Sequence, residues 1–484
     1  MPRLLVAGLS GGSGKTIVTL GLLLLLRRAG LDVRAFKKGP DYIDPAWLAW
    51  ASAHPARNLD VFLMGAEAVR ASFARHSTPD GINVIEGNRG LFDGLDADGT
   101  YSSANLAELL AAPIVLVLDA TKMTRTAAAL VLGCQKLDPR ISIQGVVLNQ
   151  VNGQRHERVL RKAIESVCSI PVIGALPRLA ENPLPERHLG LVPPDEHQTM
   201  SGVEGNLLAW MAHRVDLDAL LTIARSAPAL AAPGDERTPL PDAHGLRIGY
   251  LRDSAFTFYY PENLEELGST GAEMVPISAL DATSLPAGLH ALYIGGGFPE
   301  THARALSANT SFLESLRHAC TIGLPVYAEC GGLMLLARSL TWQGVRYPMA
   351  NVFPIDVEAF AAPQGHGYSE LRVDAPNPFF PQGAVLRGHE FHYSRITSGS
   401  EPVTSACAVL RGTGCDSGRD GLVTQNVFAA YTHLHAGATP QWASGILNAA
   451  REFALHAKTH DALQLLPSQT NRENCSAKSD LPMF

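Results

Sequence analysis

A chain of 484 residues is too long for one ordinary core, and at about 100–200 residues per domain two or three domains are expected. Hydrophobic residues make up 46% and charged residues 18%, which leaves ample material for large cores and little reason to expect disorder. The 39 Lys and Arg against 46 Asp and Glu give a net charge of −7, which lends no support to nucleic acid or a membrane as the main partner.

In chain order, Leu4–Gly8, Val33–Lys37, Asn83–Glu86, Ile114–Asp119, Gly145–Asn149 and Val172–Leu176 read as strands. Their apolar runs are nearly continuous, and many of the intervals leave room for crossover helices, the pattern of a doubly wound parallel α/β sheet. Between the first strand and the helix after it lies Leu9-Ser-Gly-Gly-Ser-Gly-Lys-Thr16. Backbone N–H groups of Gly11, Gly12, Ser13 and Gly14 can wrap phosphate oxygens, Lys15 can reach the β/γ-phosphates, and the Thr16 hydroxyl can ligate Mg²⁺. Nucleotide binding is expected, even though Leu9 stands where the first glycine of the consensus would fall. Switch ATPases that share this loop carry an extra lysine just before the glycine pair; Ser10 stands there, which argues against a switch or partner-binding protein.

The second strand runs into Lys37-Lys-Gly-Pro-Asp41-Tyr-Ile-Asp44-Pro, and a later one into Glu86-Gly-Asn-Arg89-Gly-Leu-Phe-Asp. Carboxylates at the carboxyl ends of such strands normally hold Mg²⁺ or position the attacked group, so Asp41, Asp44 and Glu86 are candidates beside the phosphate loop. Leu20–Leu26, the longest apolar run, is far too short for a bilayer, and the N-terminus lacks a signal-peptide layout. Seven Cys without CxxC spacing give neither a metal site nor a disulfide framework. A reducing cytoplasm is the expected location.

The Pro-, Ala- and Gly-rich stretch 226–245 reads as a linker between an N-terminal domain, 1–225, and a second α/β domain, 246–440, followed by a helix and flexible tail, 441–484. In the second domain helices are expected at 261–268, 301–319 and 331–339, and mixed β structure over 341–430. Pro325-Val-Tyr-Ala-Glu-Cys330-Gly-Gly-Leu-Met reads as strand, sharp turn and helix, the layout that exposes a nucleophile at its tip, with a helix N-terminus to stabilise the thiolate. Gly296, Gly297 and Gly331 could supply oxyanion-hole N–H groups. His433, in Tyr-Thr-His-Leu-His435, could supply the base. The histidines of Gly365-His-Gly-Tyr368 and Gly388-His-Glu-Phe-His392 read as structural groups rather than metal ligands, although the second motif could face a substrate.

Taken together, LSGGSGKT, KKGPDYIDPAW, RNLD at 57–60, EGNRGLFDG, YIGGGFPE, YAECGGLM, RGHEFHYS and YTHLH make the chain resemble the cobyrinate a,c-diamide synthase family over most of residues 1–445. The resemblance implies a dethiobiotin-synthetase-like P-loop domain joined to a class I glutamine amidotransferase-like domain. It implies that Cys330 and His433 release ammonia from glutamine. It implies that ATP·Mg²⁺ phosphorylates a carboxylate of a tetrapyrrole, which ammonia then converts to the amide. Thr16, Asp41 and Glu86 would surround Mg²⁺, and Asp44, Lys37, Lys38 and Arg89 would position carboxylate or phosphate. Many class I glutaminase domains carry Glu two residues beyond the catalytic His; here it is His435, so a Cys–His dyad is expected and His435 reads as structural. Asn88-Arg89 replaces residues that tend to be apolar in corrin enzymes, which leaves sirohydrochlorin-type rings as alternative substrates. A homodimer is a further expectation.

Overall fold

A computed structural model describes residues 1–179, 200–230, 239–399 and 402–464, with 184, 186–187, 190–191 and 194. Seven parallel strands form the first sheet: β1 (Arg3–Gly8), β2 (Val33–Lys38), β3 (Arg57–Leu59), β4 (Ile82–Gly90), β5 (Ile114–Asp119), β6 (Ile143–Val151) and β7 (Val172–Pro177). Their order is β3-β2-β4-β1-β5-β6-β7, so β1 stands near the middle of the sheet. Helices cover both faces, which explains the unbroken apolar runs. Along β1, Leu5 and Ala7 enter one core with Phe36, Val69 and Phe73, while Leu4 and Val6 enter the opposite core with Leu23, Trp47 and Met211.

Helix α1 (Lys15–Arg28) begins at the glycine loop, and its Leu20–Leu26 run lies almost wholly inside the second of those cores. Helices α2 (Ile43–Ser52) and α3 (Val61–His76) follow β2 and β3. The helices Met200–Met211 and Leu217–Arg225 pack through Leu207, Met211, Leu220 and Ile223 against the α1 face. Residues 231–238 of the expected linker and the tail from 465 lie outside the described residues.

The second sheet has ten strands. Its parallel part contains Arg247–Leu251, Ala291–Ile294, Val326–Glu329 and Val427–Ala430, and antiparallel strands from 365–424 extend it. The expected helix 261–268 is present with those bounds. The expected helix 301–319 is two helices, Ala303–Ala308 and Thr310–Thr321. Asn309 divides them: its side chain caps the second and donates to the carbonyls of Ala279 and Ala282. The helix expected at 331–339 ends at Leu336, because Arg338 and Ser339 turn to bond Asp356 on the neighbouring strand. Among the described residues no helix is long and apolar enough to cross a membrane.

The segment 57–62 is one place where the two parts of the chain meet. The Arg57 guanidinium makes two bonds, 2.7 and 2.9 Å, to the Glu265 carboxylate of the second sheet's helix Pro261–Gly268. Asp60 caps α3 with one oxygen and accepts from the Tyr368 hydroxyl at 2.6 Å with the other. Phe62 stacks on Tyr368, ring centroids 4.3 Å apart.

Candidate active site

The glycine loop turns because its glycines allow it. Gly14 has φ 84°, and a Cβ there would lie 2.3 Å from the Asn149 amide, which itself donates to the Ser13 carbonyl. Gly11 and Gly12 form an exposed tip, Ser13 is buried, and the Lys15 ammonium folds back to the Ser10 carbonyl at 3.2 Å. Burial lowers the Lys15 pKa, and Lys37 adds to that, while Glu86 opposes it. The Thr16 hydroxyl donates to Glu86 Oε1 at 2.8 Å.

Lys37 differs from expectation. Its ammonium already has three acceptors: Asp44 at 2.6 Å, Glu86 at 2.8 Å and the Gly87 carbonyl at 3.4 Å. An ammonium has three donors, so Lys37 is a buried tie between two carboxylates rather than a free holder of phosphate. Burial works against its charge, but Asp44, Glu86 and Asp41 outweigh that and hold it above the ordinary lysine range. Glu86 is pushed up, chiefly by burial. Its second oxygen, Oε2, is buried without a hydrogen-bond partner beside Thr16, an arrangement that fits a cation. Asp41 is engaged differently: its Oδ1 accepts from the Ile43 and Asp44 N–H groups that open α2. Burial first, and then Asp44, push its carboxyl up to about 7. Among the described residues no three of His, Cys, Asp or Glu gather to hold a metal, so a cation at this loop would draw on Thr16, Glu86 and phosphate oxygens.

In the second sheet, Cys330 sits at the turn with φ 49° and ψ −97°, a strained conformation for a residue with a Cβ. Its N–H bonds the Ala430 carbonyl at 2.7 Å, which fixes the turn to the strand that leads to His433. A Cβ on Gly297 would lie 2.1 Å from the Ala255 carbonyl, and one on Gly331 would lie 3.2 Å from the Gly297 nitrogen. A Cβ on Gly296 would lie 2.6 Å from His433 Cε1. The Cys330 turn, the glycine segment 295–297 and His433 are therefore packed together, by glycines that leave no room for side chains. The expected thiolate is not favoured here. Burial first, then Glu300, and more weakly Glu329 push the Cys330 thiol up, against the pull of the Gly331 N–H. The helix it caps is a short one, Gly331–Leu336.

The His433 ring stacks on His389, centroids 5.1 Å apart, and its Nδ1 faces Glu329 Oε2 at 3.5 Å. His435 faces away from His433, with Nε2 3.7 Å from Glu262 and Nδ1 accepting from the Gly437 N–H. Burial, followed by His433, holds His389 neutral, well below the usual histidine range.

A cavity of about 740 Å³ opens between the two sheets. From the first it is walled by Lys38, Asp41, Asp44, Asn88 and Arg89, and from the second by His366, His389, Arg411 and His433. Arg89 takes the left-handed conformation, φ 49°. Burial lowers the Lys38 pKa, against the pull of Asp60. The site also contains residues that the motifs quoted but to which sequence reasoning gave no role. Tyr42, between Asp41 and Asp44, stacks on Phe258 at 5.1 Å and lies 5.2 Å from the His433 ring. Glu329 is the residue just before Cys330, and that adjacency was its only signal.

Residues 4–192 match the family described as CobQ/CobB/MinD/ParA nucleotide binding domain, and residues 247–441 match the CobB/CobQ-like glutamine amidotransferase domain. A protein of Magnetococcus marinus named cobyrinate a,c-diamide synthase is 43% identical over 92% of this chain and 96% of its own length. Proteins of the same name from Dehalococcoides mccartyi and Archaeoglobus fulgidus are 39% and 38% identical, over 93% and 90% of this chain and 99% and 94% of theirs.

Proposed function

Since the chain belongs to the cobyrinate a,c-diamide synthase family and is therefore a glutamine amidotransferase-type ligase with a nucleotide-binding domain, we propose that it converts the a and c carboxylates of cobyrinate to amides, using ATP and glutamine. Cys330 rests as a thiol in its buried turn, so its proton must leave as it attacks. His433 takes that proton while Sγ bonds to the glutamine amide carbon, and the oxyanion meets the N–H groups of Gly296, Gly297 and Gly331. His433 then gives the proton to the departing nitrogen as the C–N bond breaks, and water hydrolyses the thioester to glutamate.

A carboxylate is a poor acyl donor, and an acyl phosphate is a good one. In the second reaction an oxygen of the ring carboxylate attacks the γ-phosphorus of ATP and ADP leaves. Ammonia then attacks the acyl carbon and phosphate departs with its electron pair. Lys15 and the N–H groups of 11–14 would bind the phosphates. Thr16 and Glu86 would hold Mg²⁺, which neutralises charge on the transferred phosphoryl group. Asp44 acts through Lys37, and Asp41 keeps the loop turned toward the cavity. Lys38, Arg89 and Arg411 suit the acidic rim of a tetrapyrrole.

The observation that carries this reading is the shared cavity, whose wall includes both His433 and the Asp41–Asp44 loop. Turnover with ATP, Mg²⁺ and glutamine on cobyrinate, read by product mass, tests it. Amidation of cobyrinate, lost with glutamine but kept with ammonia in C330S, is the expected result; no amidation of any ring refutes it. Asn88 and Arg89 in the cavity wall favour a second reading, the same chemistry on a sirohydrochlorin-type ring, and that ring in the same assay decides between them.

A further inference from the structure

A histidine that takes a thiol proton at Nε2 must hold its own proton at Nδ1, and a partner at Nδ1 enforces that tautomer. The residue two beyond His433 is His435, which turns toward Glu262 and leaves the histidine's Nδ1 to something else. Asp420 is also close in the chain fold, but both its oxygens are taken by the N–H groups of Gly421, Tyr431 and Thr432 and by the Cys415 thiol. Glu329 remains. It is fully buried, and three donors fix it: Tyr327 and the Leu434 N–H on Oε1, each at 3.0 Å, and Tyr293 on Oε2 at 3.1 Å. A carboxylate has about four acceptor sites, and the remaining one faces His433 Nδ1 at 3.5 Å. That nitrogen is buried and has no hydrogen-bond partner.

We propose that Glu329 is the positioning residue for His433, supplied from the position before the nucleophile instead of from beyond the histidine. The inference rests on the glutaminase roles of Cys330 and His433. The separation of 3.5 Å is one that closing on glutamine would shorten, as such bonds commonly do when substrate enters. Because Asp420 holds the backbone at 431–432 and Glu329 holds it at 434, the histidine is pinned from both sides, and its side chain is oriented by the same group.

The test is Glu329→Gln, with glutamine-driven and ammonia-driven amidation measured side by side. The glutamine side chain keeps Oε1 for Tyr327 and Leu434, so the structural anchor survives. It presents an amide N–H to Nδ1, however, and that favours the wrong tautomer. The glutamine-driven kcat is expected to fall about 100-fold, with KM within about 3-fold and the ammonia-driven rate within about 2-fold of wild type. Glu329→Asp keeps the charge one methylene short and is expected to recover to within about 10-fold of wild type. A Glu329→Gln enzyme with kcat within about 3-fold of wild type, or with a raised KM and intact kcat, overturns the proposal. Should that variant fail to fold, Glu329→Asp alone decides: an unchanged kcat overturns the proposal, and a fall of about 10-fold at preserved KM supports it. C330S is run in the same assay. If it retains glutamine-driven turnover, the glutaminase reading itself has failed, which is a different outcome from an inert Glu329→Gln.

Discussion

Replacing Gly296 by Ala adds one methyl group against His433. Gly296 is not among the residues with positive φ, so alanine brings no backbone strain and the effect is steric alone. The new Cβ would stand 2.6 Å from His433 Cε1, whereas ordinary contact begins near 3.4 Å, so ring and loop must part by roughly 0.8 Å. The ring has little freedom to give way. His389 is stacked on it, Tyr42 lies 5.2 Å off, and Glu329 stands at its Nδ1. A misplacement near 1 Å in a reacting group costs about 100-fold in rate, or roughly 2.7 kcal/mol of barrier. Overpacking of this size costs roughly 1–3 kcal/mol of stability. Glutamine-driven amidation by G296A should therefore fall about 100-fold, while ammonia-driven amidation by the same sample stays within about 2-fold. A variant that keeps glutamine turnover within about 3-fold would refute the placement of His433 against this glycine.

Lys37→Met removes the ammonium between Asp44 and Glu86 and leaves the fully buried Glu86 carboxylate without its cation, beside a part-exposed Asp44, so unfolding by urea should show a loss of about 3 kcal/mol. The Asp41 carboxyl, raised to about 7, gives the fold stability that is complete below the ordinary value of 3.8 and lost once pH has risen through about 7. Asp41→Asn should accordingly flatten the dependence of Tm on pH across that window; an unchanged slope counts against the burial argument. Arg57→Ala leaves Glu262 buried, with both oxygens already short of hydrogen bonds, and should cost about 1–3 kcal/mol in a denaturant melt.

The parallel sheet was legible because strands covered on both faces must be apolar throughout, and Leu4–Gly8 or Ile114–Asp119 have no other way to be used. The turn at Cys330 was legible because an apolar strand runs straight into Gly331 and Gly332, residues small enough for the chain to bend sharply. What the sequence could not display depends on pairing at a distance. Lys37 looks like a free cation until Glu86, 49 residues away, is placed against it. Asn309 looks helical until the carbonyls of Ala279 and Ala282 claim its amide. Glu329 stands 104 residues before His433 and ends a strand that does not pair with the one carrying His433, so nothing along the chain announces the 3.5 Å approach of its carboxylate to Nδ1. RNLD at 57–60 gave no hint that Arg57 and Asp60 fasten one sheet to the other.

The loop between β2 and α2 has a consequence for how the two halves could be exchanged among related chains. Asp44 faces the phosphate loop through Lys37, while Tyr42, two residues earlier, rests on Phe258, Tyr260 and His433 of the other sheet. Tyr42 thus joins Arg57, Asp60 and Phe62 among the side chains through which the two parts of the chain fit each other. A chimera that takes its two parts from different relatives would keep that fit only if the incoming second part offered Tyr42 the same aromatic seat and gave Arg57 and Asp60 partners in the places of Glu265 and Tyr368.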